Sequence, residues 1–109
     1  MNKLYILLTI LLLSFAQFNY AQKIKTDANI VGHVVCYGEH IPFATISVKG
    51  TTIGTTTDET GHYQLINLPE GTLIIRAQSL GYKPKEEEIT IKAGETKEVK
   101  FELEQDVLG

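Results

Sequence analysis

"KGTTIGTTTDETGHYQL", Lys49 to Leu65, decides how the chain is read. Six threonines fall between residues 51 and 60, and glycines stand at 50, 54 and 61. β-Branched residues in this density suit a pleated surface rather than a flexible linker. "IGTTTD" therefore reads as a short strand whose threonines form its surface. "DETG" reads as a type I turn, with Asp58 accepting a hydrogen bond from the backbone two residues on and Gly61 free to take a positive φ. "HYQLINL" returns as a strand, with Tyr63 and Leu65 on one face.

The same period-two alternation runs outward in both directions, broken by Gly, Pro and Asp turn signals. In "NIVGHVV", Ile30, Gly32 and Val34 share one face, and Val31, His33 and Val35 the other. "CYGEHIP" is a turn. "FATISVK" points Ala44, Ile46 and Val48 inward. In "TLIIRAQSLGY", Leu73, Ile75 and Ala77 alternate with Ile74, Arg76 and Gln78. "EEEITIK" points Ile89 and Ile91 inward, and "KEVKFELE" does the same with Val99, Phe101 and Leu103. About seven short strands without a helical pattern predict an all-β sandwich.

The chain has 109 residues, room for one small domain. Lys3 followed by the apolar run Leu4 to Ala16 has the length of a secretory leader core, too short for a confident membrane span. Residues 1–21 are expected to be a signal peptide cleaved before Gln22, with an uncleaved anchor as the alternative. Residues 22–28 then form a linker, 29–104 the sandwich, and 105–109 a linker toward a downstream region. Removing the leader's Lys3 leaves 9 basic against 13 acidic residues, a net charge of −4. No basic stripe is present, so nucleic-acid binding is excluded. Cys36 is the only cysteine. It has no internal disulfide partner and reads as a small buried apolar residue.

Candidate chemistry is sparse. His33, His40 and His62 form no HxxxH or HxH pair and have no cysteine pair beside them. They read as solvated surface histidines, and a zinc site is open only if the fold gathers them. "DETG" has adjacent carboxylates at Asp58 and Glu59, but Thr60 stands where a calcium loop would place another oxygen ligand. Glu86, Glu87 and Glu88 read as solvated strand surface that guards a sheet edge. The last strand offers no Asn for an internal Lys–Asn isopeptide bond. No nucleophile elbow or phosphate loop is present. The expectation is a protein that is not an enzyme, with no catalytic, cofactor or metal residues and no cofactor.

Taken in order, "VGHVV", "IPFATISVKGTTIGTTTDETGHYQL", "LPEGTLIIRAQSLGYK" and "TKEVKFELEQ" resemble the carboxypeptidase-regulatory-like domain over Asn29 to Glu104. The resemblance implies a seven-stranded, transthyretin-like (prealbumin-like) sandwich. Cys36 stands where the family more often has Asp. A leader, this domain and then "LEQDVLG" is similar to the N-terminal extension of SusC-like TonB-dependent outer-membrane receptors. That resemblance implies a non-catalytic docking or spacer module on the periplasmic face of the outer membrane, serving nutrient uptake. The chain is then a fragment, attached to the membrane only through a downstream barrel. Its partner would be a protein: the receptor's own plug and barrel, or a periplasmic or outer-membrane partner. The alternatives are the same domain on another exported protein, such as a surface peptidase, or a stand-alone carbohydrate-binding or adhesion module at the cell surface or secreted. A hydroxyisourate hydrolase on the same fold is disfavoured, since "DVLG" is not that family's tail.

Overall fold

A computed structural model describes residues 25–107. The expected leader, residues 1–21, lies outside the described residues.

Nine strands make up the described chain: β1 (Asn29–Cys36), β2 (Glu39–His40), β3 (Thr45–Val48), β4 (Gly54–Thr56), β5 (His62–Leu65), β6 (Gly71–Gln78), β7 (Lys85–Ile91), β8 (Thr96–Glu98) and β9 (Phe101–Glu102). They form two sheets. In the first, β1 is central, with antiparallel β5 and β2 following one another beside it and parallel β8 and β9 completing the sheet. The second runs β4-β3-β6-β7, all antiparallel.

Each of the seven expected strands is present. The count rises to nine because "EH" pairs back onto the end of β1, and because the last strand is broken after Glu98. The cause of that break lies in β1. The Val99 carbonyl crowds Gly32 so closely that a Cβ at Gly32 would overlap it. Val99 N–H still donates to Val31 at 2.9 Å, and Leu103 N–H to Val35 at 2.8 Å, so the segment keeps to β1 while stepping over the glycine.

The alternation survives folding almost residue for residue. Ile30, Val34, Ala44, Ile46, Val48, Tyr63, Leu65, Ile75, Ala77, Ile91, Val99, Phe101 and Leu103 form one buried cluster between the sheets, together with Cys36. Fully burying a side chain the size of Phe101 or Ile46 is worth about 1.5–3 kcal/mol before entropy costs, so this cluster is the main source of stability.

The Thr-rich stretch departs from the expected simple return. β4 and β5 do not pair with each other but belong to different sheets, so Thr57 to Gly61 turns the corner of the sandwich. Thr57 is not strand surface. It is 1% exposed, with its hydroxyl donating to Ile41 O and accepting from Ala44 N–H, both at 2.8 Å. A corner leaves backbone groups without ladder partners, and a buried hydroxyl supplies both missing contacts.

Candidate functional site

The corner itself is built as its sequence requires. Gly61 N–H donates to Asp58 O at 3.0 Å, closing the four-residue turn, and Gly61 has φ +78°. The Asp58 carboxylate oxygen Oδ1 accepts from Thr60 N–H (2.8 Å), Thr60 Oγ1 (2.7 Å) and His62 N–H (3.0 Å). These bonds, the Thr60 hydroxyl foremost and then the His62 backbone, hold the Asp58 carboxyl below its usual range. The oxygen is thus committed to the turn, which favours the turn over a cation loop.

Strand register brings the three histidines together, which the strand-by-strand reading did not foresee. His33 and His62 are direct cross-strand partners in the β1–β5 pair. His40 is opposite Val35, two residues from His33 and therefore on the same face of the sheet. Since β2 and β5 follow one another along one side of β1, His40 arrives next to His62. Gly61 makes the room, for a Cβ there would stand 2.8 Å from His40 Cβ. The ring centroids are 5.2 Å apart for His33–His40, 5.5 Å for His33–His62 and 5.1 Å for His40–His62. His40 and His62 are exposed, and His33 is half-buried. The signal was available in principle: a histidine in the turn after β1 and another opening β5 meet whenever both segments pair with the same side of β1.

The hydrogen bonds fix two of the tautomers. Thr60 Oγ1 gives its proton to the Asp58 carboxylate, so it accepts at 2.9 Å from His62 Nδ1–H. His40 Nδ1 is 2.5 Å from the Thr60 carbonyl, an acceptor only, so it too carries its proton on Nδ1. In the neutral form, both rings keep a lone pair on Nε2. His33 is held below the usual imidazole range, first by desolvation and then by His40, His62 and Lys100. Glu98 acts in the opposite direction. Beside the cluster runs an open groove lined by Val31, His33, Thr55, His62, Gln64 and Glu98.

A second feature occupies one end of the sandwich. β1 ends at Cys36, β3 starts at Thr45 opposite Gln78 at the end of β6, and β7 starts at Lys85 opposite Ala77. The turns at this end expose Tyr37 (88%), Phe43 (66%) and Leu80 (100%). Tyr37 and Phe43 are held there at φ +50° and +57°, a left-handed conformation uncommon outside glycine. The segment after β9 is clipped onto the same end: Lys83 N–H donates to Glu104 O, Tyr82 bridges to Gln105, and Asp106 N–H donates to Gly81 O. A cleft of about 470 Å³ lies between Tyr37, His40, Pro42, Tyr82 and Gln105. Cys36 lines it but is itself buried, as expected.

The family model for the CarboxypepD_reg-like domain matches residues 30–109. Two solved chains are similar in fold. Both come from type II cohesin–X–dockerin complexes of Acetivibrio cellulolyticus, one an N-terminal and the other a C-terminal interface mutant. The first shares 16% identity at a TM-score of 0.62, over 71% of this chain and 57% of that one. The second shares 19% at 0.57, over 72% and 64%. The protein therefore spans less than two thirds of each solved chain. A comparison with curated proteins gave no match.

Proposed function

The chain belongs to the CarboxypepD_reg-like domain family, and we propose that it is a non-catalytic docking and spacer domain of a SusC-like TonB-dependent receptor, on the periplasmic face of the outer membrane. The observation that carries this reading is the end of the sandwich where Tyr37, Phe43 and Leu80 stand exposed. Single exposed apolar residues are ordinary, but here they share one end with the clipped segment Glu104–Asp106. A domain pinned to its outgoing chain at an apolar end is suited to rest that end on the protein that follows, the plug and barrel in cis.

The family supports the non-catalytic part. The solved neighbours belong to assembled protein complexes, which is compatible with a partner-binding role. The order of leader, sandwich and "LEQDVLG" supports the receptor. The sheet edges offer a second mode of contact. β4 and β7 are the two edges of the second sheet, and an incoming strand could pair with either.

Sequencing the coding DNA past Gly109 tests the receptor assignment. A frame that continues into a TonB-box-like strand, a plug and barrel strands is the expected result. A frame that continues into a peptidase, or stops at once with the short product made, overturns it.

A further inference from the structure

The three-histidine cluster lies on the outward face of the first sheet, and the docking proposal makes no use of it. We infer that His33, His40 and His62 form a binding site for one divalent transition-metal ion of the zinc class. The inference is independent of the receptor assignment.

Zinc–imidazole bonds are about 2.0–2.1 Å, so three imidazoles on one tetrahedral zinc have ring centres roughly 5 Å apart. The three centroid separations here are 5.1, 5.2 and 5.5 Å. The strand register places the three residues side by side on one face, and the side-chain torsions then set the distance between the rings.

A metal-binding imidazole ordinarily donates its other N–H to a carbonyl, carboxylate or hydroxyl, which fixes the tautomer and raises the basicity of the ligating nitrogen. His40 Nδ1–H has the Thr60 carbonyl. His62 Nδ1–H has the Thr60 hydroxyl, itself bonded to Asp58. Both therefore present Nε2 as the ligand atom. Nitrogen ligands select zinc, copper or nickel over calcium and magnesium. The fourth position is left to water on the groove side, where Glu98 shares the outward face.

His33 and His40 are parallel to within 5°, and among the described residues no three His, Cys, Asp or Glu side chains surround one point. Convergence on one ion therefore requires the His33 ring to turn out of its stack on His40, while His40 and His62 keep their bonds to Thr60. Ligation needs the neutral imidazole.

The test is calorimetric titration of the full chain with zinc chloride at about pH 7.5, with zinc X-ray absorption on the product. The expected result is one zinc per chain with three imidazole nitrogens. His40→Ala and His62→Ala should each weaken binding about tenfold or more, and Thr60→Val, which removes the bond that positions His62, about tenfold. Binding should weaken as pH falls, because the ligating nitrogens must be free of protons. His40 and His62 are exposed, so these variants are expected to fold, with circular dichroism as the check. No binding by the wild type overturns the proposal. So does zinc held equally well by His40→Ala and His62→Ala, or a spectrum without imidazole ligands.

Discussion

The Tyr63 hydroxyl donates a 2.6 Å hydrogen bond to the Val99 carbonyl, reaching from β5 across β1 to the far side of the first sheet. It crosses at Gly32, the cross-strand partner of Tyr63, where the missing side chain leaves the path open. Tyr63 is buried, and burial pushes its phenol upward, so it remains a donor at any physiological pH. One glycine thus accounts for both the broken last strand and the bond that ties three strands together. Gly32→Ala, which forces the Val99 carbonyl outward, should cost about 1–3 kcal/mol. Tyr63→Phe, which removes only the hydrogen bond, should cost about 1 kcal/mol. Urea unfolding of both variants measures the order, and a neutral Gly32→Ala would show that the close approach does not matter.

Among the described residues of polar or charged type, Thr57 alone is buried. Thr57→Val keeps the shape but leaves Ala44 N–H and Ile41 C=O without their partner, so a loss of about 2–3 kcal/mol is expected. Thr57→Ser keeps the hydroxyl and should cost about 1 kcal/mol, near the value of one buried methyl group. Thermal unfolding that ranks Ser below Val would mean that packing, not hydrogen bonding, holds the corner.

Asp58 has a depressed carboxyl, so the sign of its pH dependence follows directly. Its contribution to stability is present above the usual carboxylate range and is lost as pH falls through its lowered value. The stability difference between wild type and Asp58→Ala should therefore be largest at neutral pH and shrink below about pH 4. Denaturant midpoints at several pH values check this. A difference that grows on acidification would be inconsistent with it.

β7 is a seven-residue edge strand whose hydrogen-bonding side is open to solvent. Glu86 pairs with Lys49 (3.4 Å) and Arg76 (3.3 Å) on the outward face. Glu87 lies half-buried on the other face, opposite Ile75. A charge on the inward side of an edge discourages strand addition by another copy. Glu87→Val should therefore promote self-association, read as a larger species by light scattering. Light scattering that still shows a monomer would assign edge protection elsewhere.

Most of the fold was legible because strand alternation leaves a plain record. Ala44, Ile46 and Val48, or Val99, Phe101 and Leu103, announce their face by spacing alone. The edge position of β7 was also legible, from its acid-rich character. What the spacing could not reveal was which strands become neighbours. The sequence places His33, His40 and His62 far apart as motifs, and only the shared flank of β1 unites them. Thr57 looks like its five threonine neighbours, because burial at a corner between sheets depends on the path of the chain rather than on local composition. Gly32 gave no sign that another strand's carbonyl would need its space.

Docking through the end that carries Tyr37, Phe43 and Leu80 would shield that end from solvent. Amide hydrogen exchange on the isolated domain and on the same domain within its complete protein, with the energy-transducing partner's periplasmic domain added, tests it most directly. Slowed exchange is expected at residues 37–43 and 79–82, with further slowing along β4 or β7 when the partner is added. Unchanged exchange at that end and along both edges would contradict it.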